Sequence, residues 1–167
     1  RDRQALHAML TSTLDQVRRE WITADRSGWL KEHTLYCQLE EVRRLVSEPE
    51  RAVLVTTKEG EFASLILDDW GVPLADVQGK ETGVHKCDNL RSLIEAYAAA
   101  HGRRPRLWFV EDRLETLAHV TAHPDLGDVG LFLAAWGYNT PETRAAVEGS
   151  SRVRLLELDQ FRRGLDA

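Results

Sequence analysis

Hydroxyl, ammonium and carboxylate side chains follow several predicted strands of this chain. Thr56-Thr57-Lys58 comes directly after one apolar run, and Glu111-Asp112 comes after another. Threonine hydroxyls and backbone N–H groups at a helix start can hold phosphate oxygens. A lysine can neutralise charge on a transferring phosphoryl group, and carboxylate oxygens are ligands for Mg²⁺. These residue types together predict a site for an anionic substrate and a hard cation.

Short strands that alternate with helices are expected to position these side chains. Apolar runs, typical of strands buried on both faces, occupy residues 52–56, 107–110, 129–133 and 153–156, and a further short strand is expected to include residues 76–77. Helical patterns lie between them, at about residues 59–70, 86–100 and 114–120 and from Thr140 onward. This alternation predicts a parallel, Rossmann-like sheet flanked by helices. Because ligands of such sheets bind at the carboxyl ends of the strands, we expect the site there.

The first 48 residues have a different pattern, in which apolar residues recur at helical spacing. The first stripe consists of Leu6, Leu10, Leu14, Val17 and Trp21. Ser27-Gly28 is expected to break this helix, and a second helical pattern over residues 35–46 is expected to end at Pro49. We therefore predict a helical segment, residues 1–48, followed by an α/β core, residues 49–167.

Composition narrows the classes of partner. The chain has 167 residues and a formal net charge of −5, which argues against a nucleic-acid partner. No apolar run reaches the length of a membrane span, so we expect no membrane partner and a cytoplasmic location. The two cysteines, Cys37 and Cys87, are expected to be reduced thiols. His119 and His123 have a spacing that could bind a metal, but no further ligand is evident, so we expect solvated histidines.

In order along the chain, these segments resemble the motifs of the haloacid-dehalogenase (HAD)-like hydrolase superfamily, in its phosphoglycolate-phosphatase-like branch. Residues 53–58 are similar to the second motif, an apolar strand that ends in threonine. The resemblance implies that Thr56, with Thr57 beside it, binds phosphoryl oxygens. Lys86 stands at the helix start where the superfamily has its third-motif lysine, which is catalytic and binds phosphate. Lys80 is the alternative for that lysine.

Residues 107–112 resemble the fourth motif, an apolar strand followed by Gly-Asp. The resemblance implies that Asp112 is a ligand of the Mg²⁺ cofactor. Two residues depart from the pattern, because Glu111 replaces the usual glycine and Thr116 stands where a second acid is often found. Glu115 is the alternative for that acid.

The first motif of the superfamily, Asp-x-Asp on the first strand, is not found in the sequence. The first of these aspartates attacks phosphorus, and the second is the general acid and base. Because the chain begins at Arg1 within helical sequence, we expect the motif upstream and the chain to be a fragment. The absent strand would lie between the strands that end at Thr56 and Asp112, and without it we expect no turnover of phosphate esters.

The predicted function is Mg²⁺-dependent, phosphatase-type hydrolysis of a small phosphorylated metabolite. The resemblance covers about residues 50–164, including the turn Trp136-Gly137-Tyr138, and it implies that residues 1–48 are a helical cap over the HAD-like core. The alternative is a binding or assembly module that has lost the nucleophile and keeps a degenerate HAD-like fold. The identity of the substrate and the oligomeric state do not follow from the sequence.

Overall fold

The computed structural model describes residues 2–48, 52–83 and 85–165. These residues form an α/β structure in which small parallel sheets are flanked by helices, as the alternating pattern predicts. The chain divides into two compact units, Arg1–Leu35 and Tyr36–Ala167. The second helical pattern of the predicted cap thus falls largely in the larger unit. A cap function for residues 1–48 stays a prediction.

The first unit contains one long helix, α1 (Asp2–Lys31), with a break at Asp25. Asp25 has φ −154° and ψ 78°, and its carboxylate accepts a hydrogen bond of 2.8 Å from the Gly28 N–H. This is the arrangement of a helix N-cap, and it places the break at Asp25 and not at Ser27-Gly28. The five residues of the apolar stripe are 43–58% exposed. None of the described helices is long and apolar enough to cross a membrane.

The elements of the second unit follow the predicted order. Its helices are α2 (Leu39–Leu45), α3 (Gly60–Trp70), α4 (Lys86–His101), α5 (Leu114–Thr121), α6 (Pro141–Ala145) and α7 (Leu158–Arg163). Its strands are β1 (Val53–Val55), β2 (Asp76–Gln78), β3 (Trp108–Glu111), β4 (Gly130–Ala134) and β5 (Val153–Leu156). Helix α3 ends at Gly71, whose φ of 59° favours glycine. Helix α2 ends at Leu45, before the end that the sequence predicts at Pro49, and Pro49 itself lies outside the described residues.

The strands form two parallel sheets. One pairs β1 with β2 in the register Val53↔Asp76, and the other has the order β3-β4-β5, with Trp108 opposite Gly130. The parallel pairing confirms the prediction, but the pairing is interrupted between β1 and β3. Among the described strands, β1 pairs only with β2, and β3 pairs only with β4. The described strands therefore form two separate sheets and not the single sheet that the sequence predicts.

The main hydrophobic core lies where α4 and α5 pack on the three-stranded sheet. Leu117 of α5 and Leu131 and Leu133 of β4 are at most 1% exposed. Strand β1 is only half-buried along its length, although its sequence predicts a strand buried on both faces. The difference follows from the pairing, because no described strand covers its second edge. The carboxyl end of β1 is therefore accessible to a ligand.

Candidate phosphate-binding site

An open cleft of about 350 Å³ lies at the carboxyl end of β1, beside the first turn of α4. The polar side chains that line it are Thr56, Thr57, Lys80, His85, Lys86 and Asn89. These described lining residues include two lysines and no carboxylate, but each ammonium has a carboxylate partner outside the lining, so the cleft offers an anion a partly neutralised positive charge. The structure thus brings together the three residues that the sequence assigns to phosphate binding, from two elements separated by β2.

Thr56 is held at the strand end by its backbone and its hydroxyl. Its N–H donates to the carbonyl oxygen of Gln78 at 2.9 Å, which extends the β1-β2 pairing by one residue. Its hydroxyl oxygen accepts a hydrogen bond of 3.1 Å from the Lys58 N–H. A hydroxyl that accepts one hydrogen bond still has its own hydrogen to donate. Thr56 can therefore donate to a phosphate oxygen without losing this contact.

Lys86 is the first residue of α4, and its ammonium forms an ion pair with the carboxylate of Glu111 at the end of β3. Glu111 is buried, with 8% exposure, and it also accepts a hydrogen bond of 3.2 Å from the Arg113 N–H. The ammonium lies 5.8 Å from the centre of the Phe109 ring. These contacts fix the ammonium at the edge of the cleft, on the side of β3.

Lys80 also lines the cleft, from the short 3-10 helix Lys80–Thr82. Its ammonium lies 3.7 Å from a carboxylate oxygen of Glu59. Lys80 and Lys86 therefore face the same space from two sides. Both stay candidates for the motif lysine, with Lys86 favoured because it opens a long helix.

Asp112 follows β3, and the turn after β4 packs against its side chain. One carboxylate oxygen of Asp112 accepts a hydrogen bond of 2.9 Å from the Tyr138 N–H. The backbone carbonyl oxygen of Asp112 accepts a hydrogen bond of 3.0 Å from the side-chain amide of Asn139. A β-carbon at Gly137 would overlap the β-carbon of Asp112, so only glycine allows this approach. The turn Trp136-Gly137-Tyr138 thus positions the predicted metal ligand.

Asp112 is outside the set of residues that line the cleft, and its convergence with Thr56 and Lys86 stays a prediction. Glu115, the alternative second acid, has a side chain that is 81% exposed and lies 3.9 Å from Arg113. Mg²⁺ in phosphate sites is usually bound by one or two carboxylates together with waters and substrate phosphates. Asp112 would supply one carboxylate, which is the smallest number of carboxylate ligands in such a site.

The N-terminus of α3 is closed by a side chain of the protein itself. Glu81 accepts a hydrogen bond of 2.9 Å from the N–H of Gly60, the first residue of α3. That backbone hydrogen bond is the main cause that lowers the pKa of the Glu81 carboxyl. The sequence predicts that backbone N–H groups at a helix start contribute to phosphate binding. In α3 the Gly60 N–H is already engaged.

Sequence reasoning missed three residues of the site, of which His85 lines the cleft from the N-cap of α4. Glu111 was interpreted only as a departure from glycine, whereas it is the partner of Lys86. Asn89 lines the cleft and is buried, with 5% exposure. The only sequence signal for Asn89 is its place beside Leu90 on the inward face of α4, where a polar side chain is unusual.

Comparison of the chain with protein-family models, with curated proteins and with solved structures finds no match. Membership of the HAD-like superfamily therefore stays a prediction that depends on the order of the motifs. The geometry of the cleft is independent of that resemblance.

Proposed function

We propose that the cleft at the end of β1 binds the phosphate group of a small phosphorylated metabolite. We further propose that the protein is a Mg²⁺-dependent, HAD-like phosphatase whose nucleophile lies on a strand outside these 167 residues. One observation carries the proposal: Thr56, Thr57 and Lys86 line a single cleft. The motif resemblance assigns phosphate binding to the same three residues.

Each of these side chains has a role that follows from its chemistry. The hydroxyl of Thr56 donates a hydrogen bond to a phosphate oxygen, and the ammonium of Lys86 neutralises charge that develops during phosphoryl transfer. Glu111 orients that ammonium through the ion pair. Mg²⁺, held by Asp112, would supply further neutralisation of the phosphate charge.

The unpaired edges of β1 and β3 support a strand between them. Among the described strands each of the two has one free edge, and exposed strand edges are sites for pairing with another strand. A parallel strand inserted there would join the five described strands into one six-stranded sheet, and its carboxyl end would lie beside the cleft. An aspartate at that end would face the phosphate held by Thr56 and Lys86.

The test uses a longer protein that includes an upstream strand with Asp-x-Asp. We expect it to hydrolyse p-nitrophenyl phosphate in the presence of Mg²⁺. Asp112→Ala should lower kcat/KM by about 100-fold or more, the usual effect of losing one group that stabilises transition-state charge. Asp69→Asn, on the exposed surface of α3, is the matched control and should leave activity unchanged. Full activity in Asp112→Ala, or activity that persists with a chelator, would contradict the proposal.

A non-catalytic binding module is the second candidate, favoured by two contacts. The Lys86 ammonium already has a carboxylate partner, and one oxygen of Asp112 is already bonded to a backbone N–H. Both groups thus have structural roles that need no metal or substrate. If the gene encodes no Asp-x-Asp motif upstream of Arg1 and the chain still binds phosphate, the binding function is favoured over hydrolysis.

A further inference from the structure

A second cluster of polar side chains lies where α4 begins and α5 passes beside it. One ligand atom from each of His85, Cys87 and His119 lies within 4.8 Å of the other two. We propose that these three residues form a binding site for a borderline-soft divalent metal ion of the Zn²⁺ type. The site is separate from Asp112, the proposed magnesium ligand, and does not depend on the proposed phosphatase function.

Two of the ligands are placed by the first turn of α4. His85 is the N-cap, and its Nδ1 accepts a hydrogen bond of 3.4 Å from the Cys87 N–H. In the neutral imidazole only the nitrogen without a hydrogen can bind a metal, and here that nitrogen is Nδ1, so a bound ion would take the place of this long hydrogen bond. Burial raises the pKa of the Cys87 thiol, so an ion that binds the sulfur must displace the thiol proton.

The third ligand comes from α5, which lies beside this turn. The ring centres of His85 and His119 are 4.4 Å apart, with an angle of 57° between the rings. Both histidines are exposed, whereas Cys87 is 2% exposed. An ion could therefore enter from solvent between the two rings and bind the sulfur beneath them. On binding, the thiol proton is released to solvent.

The distances fit such a site after small side-chain rotations. Zinc bonds of about 2.0 Å to nitrogen and 2.3 Å to sulfur place tetrahedral ligand atoms about 3.5 Å apart. The two exposed imidazoles must therefore move inward by about 1 Å. Three protein ligands leave the fourth position to water, as in zinc sites that are open to solvent.

His123 is a neighbour of the site and not one of its ligands. Its ring centre is 5.2 Å from that of His119, but its Nδ1 lies 3.1 Å from the guanidinium of Arg91. Asp88 and Asp125 hold that guanidinium in place, each at 2.6 Å. The expected fourth ligand is thus a water molecule.

The donor set decides the class of metal. Imidazole and thiolate favour Zn²⁺, Cu and Ni²⁺, whereas Mg²⁺ prefers oxygen ligands. A bound ion would tie the first turn of α4 to α5. Because His85 also lines the cleft, the ion would stabilise one wall of it.

The experiment titrates Co²⁺ into the reduced full chain, purified without a polyhistidine tag, and then displaces it with Zn²⁺. We expect one equivalent of Co²⁺ to bind, with a thiolate-to-cobalt charge-transfer absorption that Zn²⁺ removes and Mg²⁺ does not. Cys87→Ser should lose this absorption, and His119→Gln should weaken Co²⁺ binding by at least about 10- to 100-fold, since loss of second-shell partners alone costs that much.

Cys37→Ser and His101→Gln are the matched controls and should bind Co²⁺ like the wild type. Absence of the charge-transfer absorption in the wild type, or its persistence in Cys87→Ser, would overturn the proposal. If circular dichroism shows that Cys87→Ser is unfolded, the exposed His119 decides the matter. Unchanged Co²⁺ affinity in His119→Gln would then overturn it.

Discussion

Lys86 and Glu111 meet where α4 begins and β3 ends, and each limits what the other can do. Glu111 is buried, so its carboxylate without a partner would carry a large desolvation cost. Lys86 offsets this cost but is itself partly exposed to the cleft. The pair therefore holds the ammonium in place and also takes some of the charge that a bound anion would use.

Glu111→Gln separates these two effects. We expect the free energy of unfolding to fall by roughly 1–3 kcal/mol, less than for a fully buried pair because Lys86 is partly solvated. Phosphate affinity should rise by about fivefold, on the order of 1 kcal/mol, since Lys86 keeps its full charge. Urea unfolding and calorimetric titration measure the two changes.

Glu115→Gln is the control for this change, because its side chain is 81% exposed. Its effect on stability should stay within about 0.5 kcal/mol. Unchanged stability together with weaker phosphate binding in Glu111→Gln would contradict the role of the pair.

The sequence predicts individual residues well where they follow a strand, and poorly where two distant segments meet. Thr56 and Thr57 could be placed at the sheet edge because they follow β1, whereas Lys86, at the start of α4, was assigned only through the motif resemblance. The contact of Lys86 with Glu111 depends on how α4 packs beside β3, which periodicity does not determine. The same reason explains why His85 and Cys87 were not recognised as neighbours of His119.

At the scale of elements, the N-terminus of α3 depends on a side chain from the next loop. Glu81 accepts the Gly60 N–H, which would otherwise be an unpaired donor at the helix start. The hydrogen bond lowers the pKa of Glu81 in the folded protein. The ionised carboxylate therefore stabilises the fold above the ordinary glutamate pKa of about 4.3, and the contribution disappears as the pH falls through the lowered value.

This sign predicts how Glu81→Gln behaves with pH. At neutral pH the variant should be less stable than the wild type, because it loses a charge-assisted hydrogen bond at the helix start. The difference should shrink as the pH falls below about 4. Thermal unfolding across this range measures it, with Glu95→Gln on the exposed face of α4 as the matched control. A difference that grows on acidification would contradict the assignment.

The turn after β4 is a second element that positions a single residue. A β-carbon in Gly137→Ala would overlap Asp112, so the turn must shift and the hydrogen bond from the Tyr138 N–H should be lost. We expect a loss of stability of roughly 1–3 kcal/mol by calorimetry, typical of overpacking. In an Asp112→Gly background the same substitution should cost less. An equal cost in both backgrounds would show that the two residues are not coupled.

Element boundaries show how local signals succeed and fail. Pro141 and Thr140 correctly predict the start of α6, because the Thr140 hydroxyl accepts the Thr143 N–H at 3.3 Å. Ser27-Gly28 wrongly predicts a break in α1, since Asp25 starts a new helical segment two residues earlier. A short polar side chain can cap a helix wherever its backbone leaves the helical region, so composition alone does not fix the position.

At the scale of the whole molecule, the pattern of alternation predicts parallel pairing and helical flanks, and both are confirmed. The pattern does not reveal which strands are neighbours, because the order of strands is set by long-range packing. The described strands form two sheets, of two and three strands, where the pattern predicts one sheet. The exposed apolar stripe of α1 shows that helical periodicity predicts a helix without specifying what covers it.

Calorimetric titration of inorganic phosphate into the chain tests the phosphate-binding cleft most directly. The wild type should bind phosphate, and Thr56→Val and Lys86→Met should each weaken binding by roughly 10- to 100-fold, the value of a hydrogen bond to a charged group. Lys31→Met, in the last turn of α1, is the control and should bind normally. Thr56→Val keeps the ion pair with Glu111 intact, so it remains informative if Lys86→Met does not fold. Absence of phosphate binding, or equal affinity in wild type and Thr56→Val, would contradict the account.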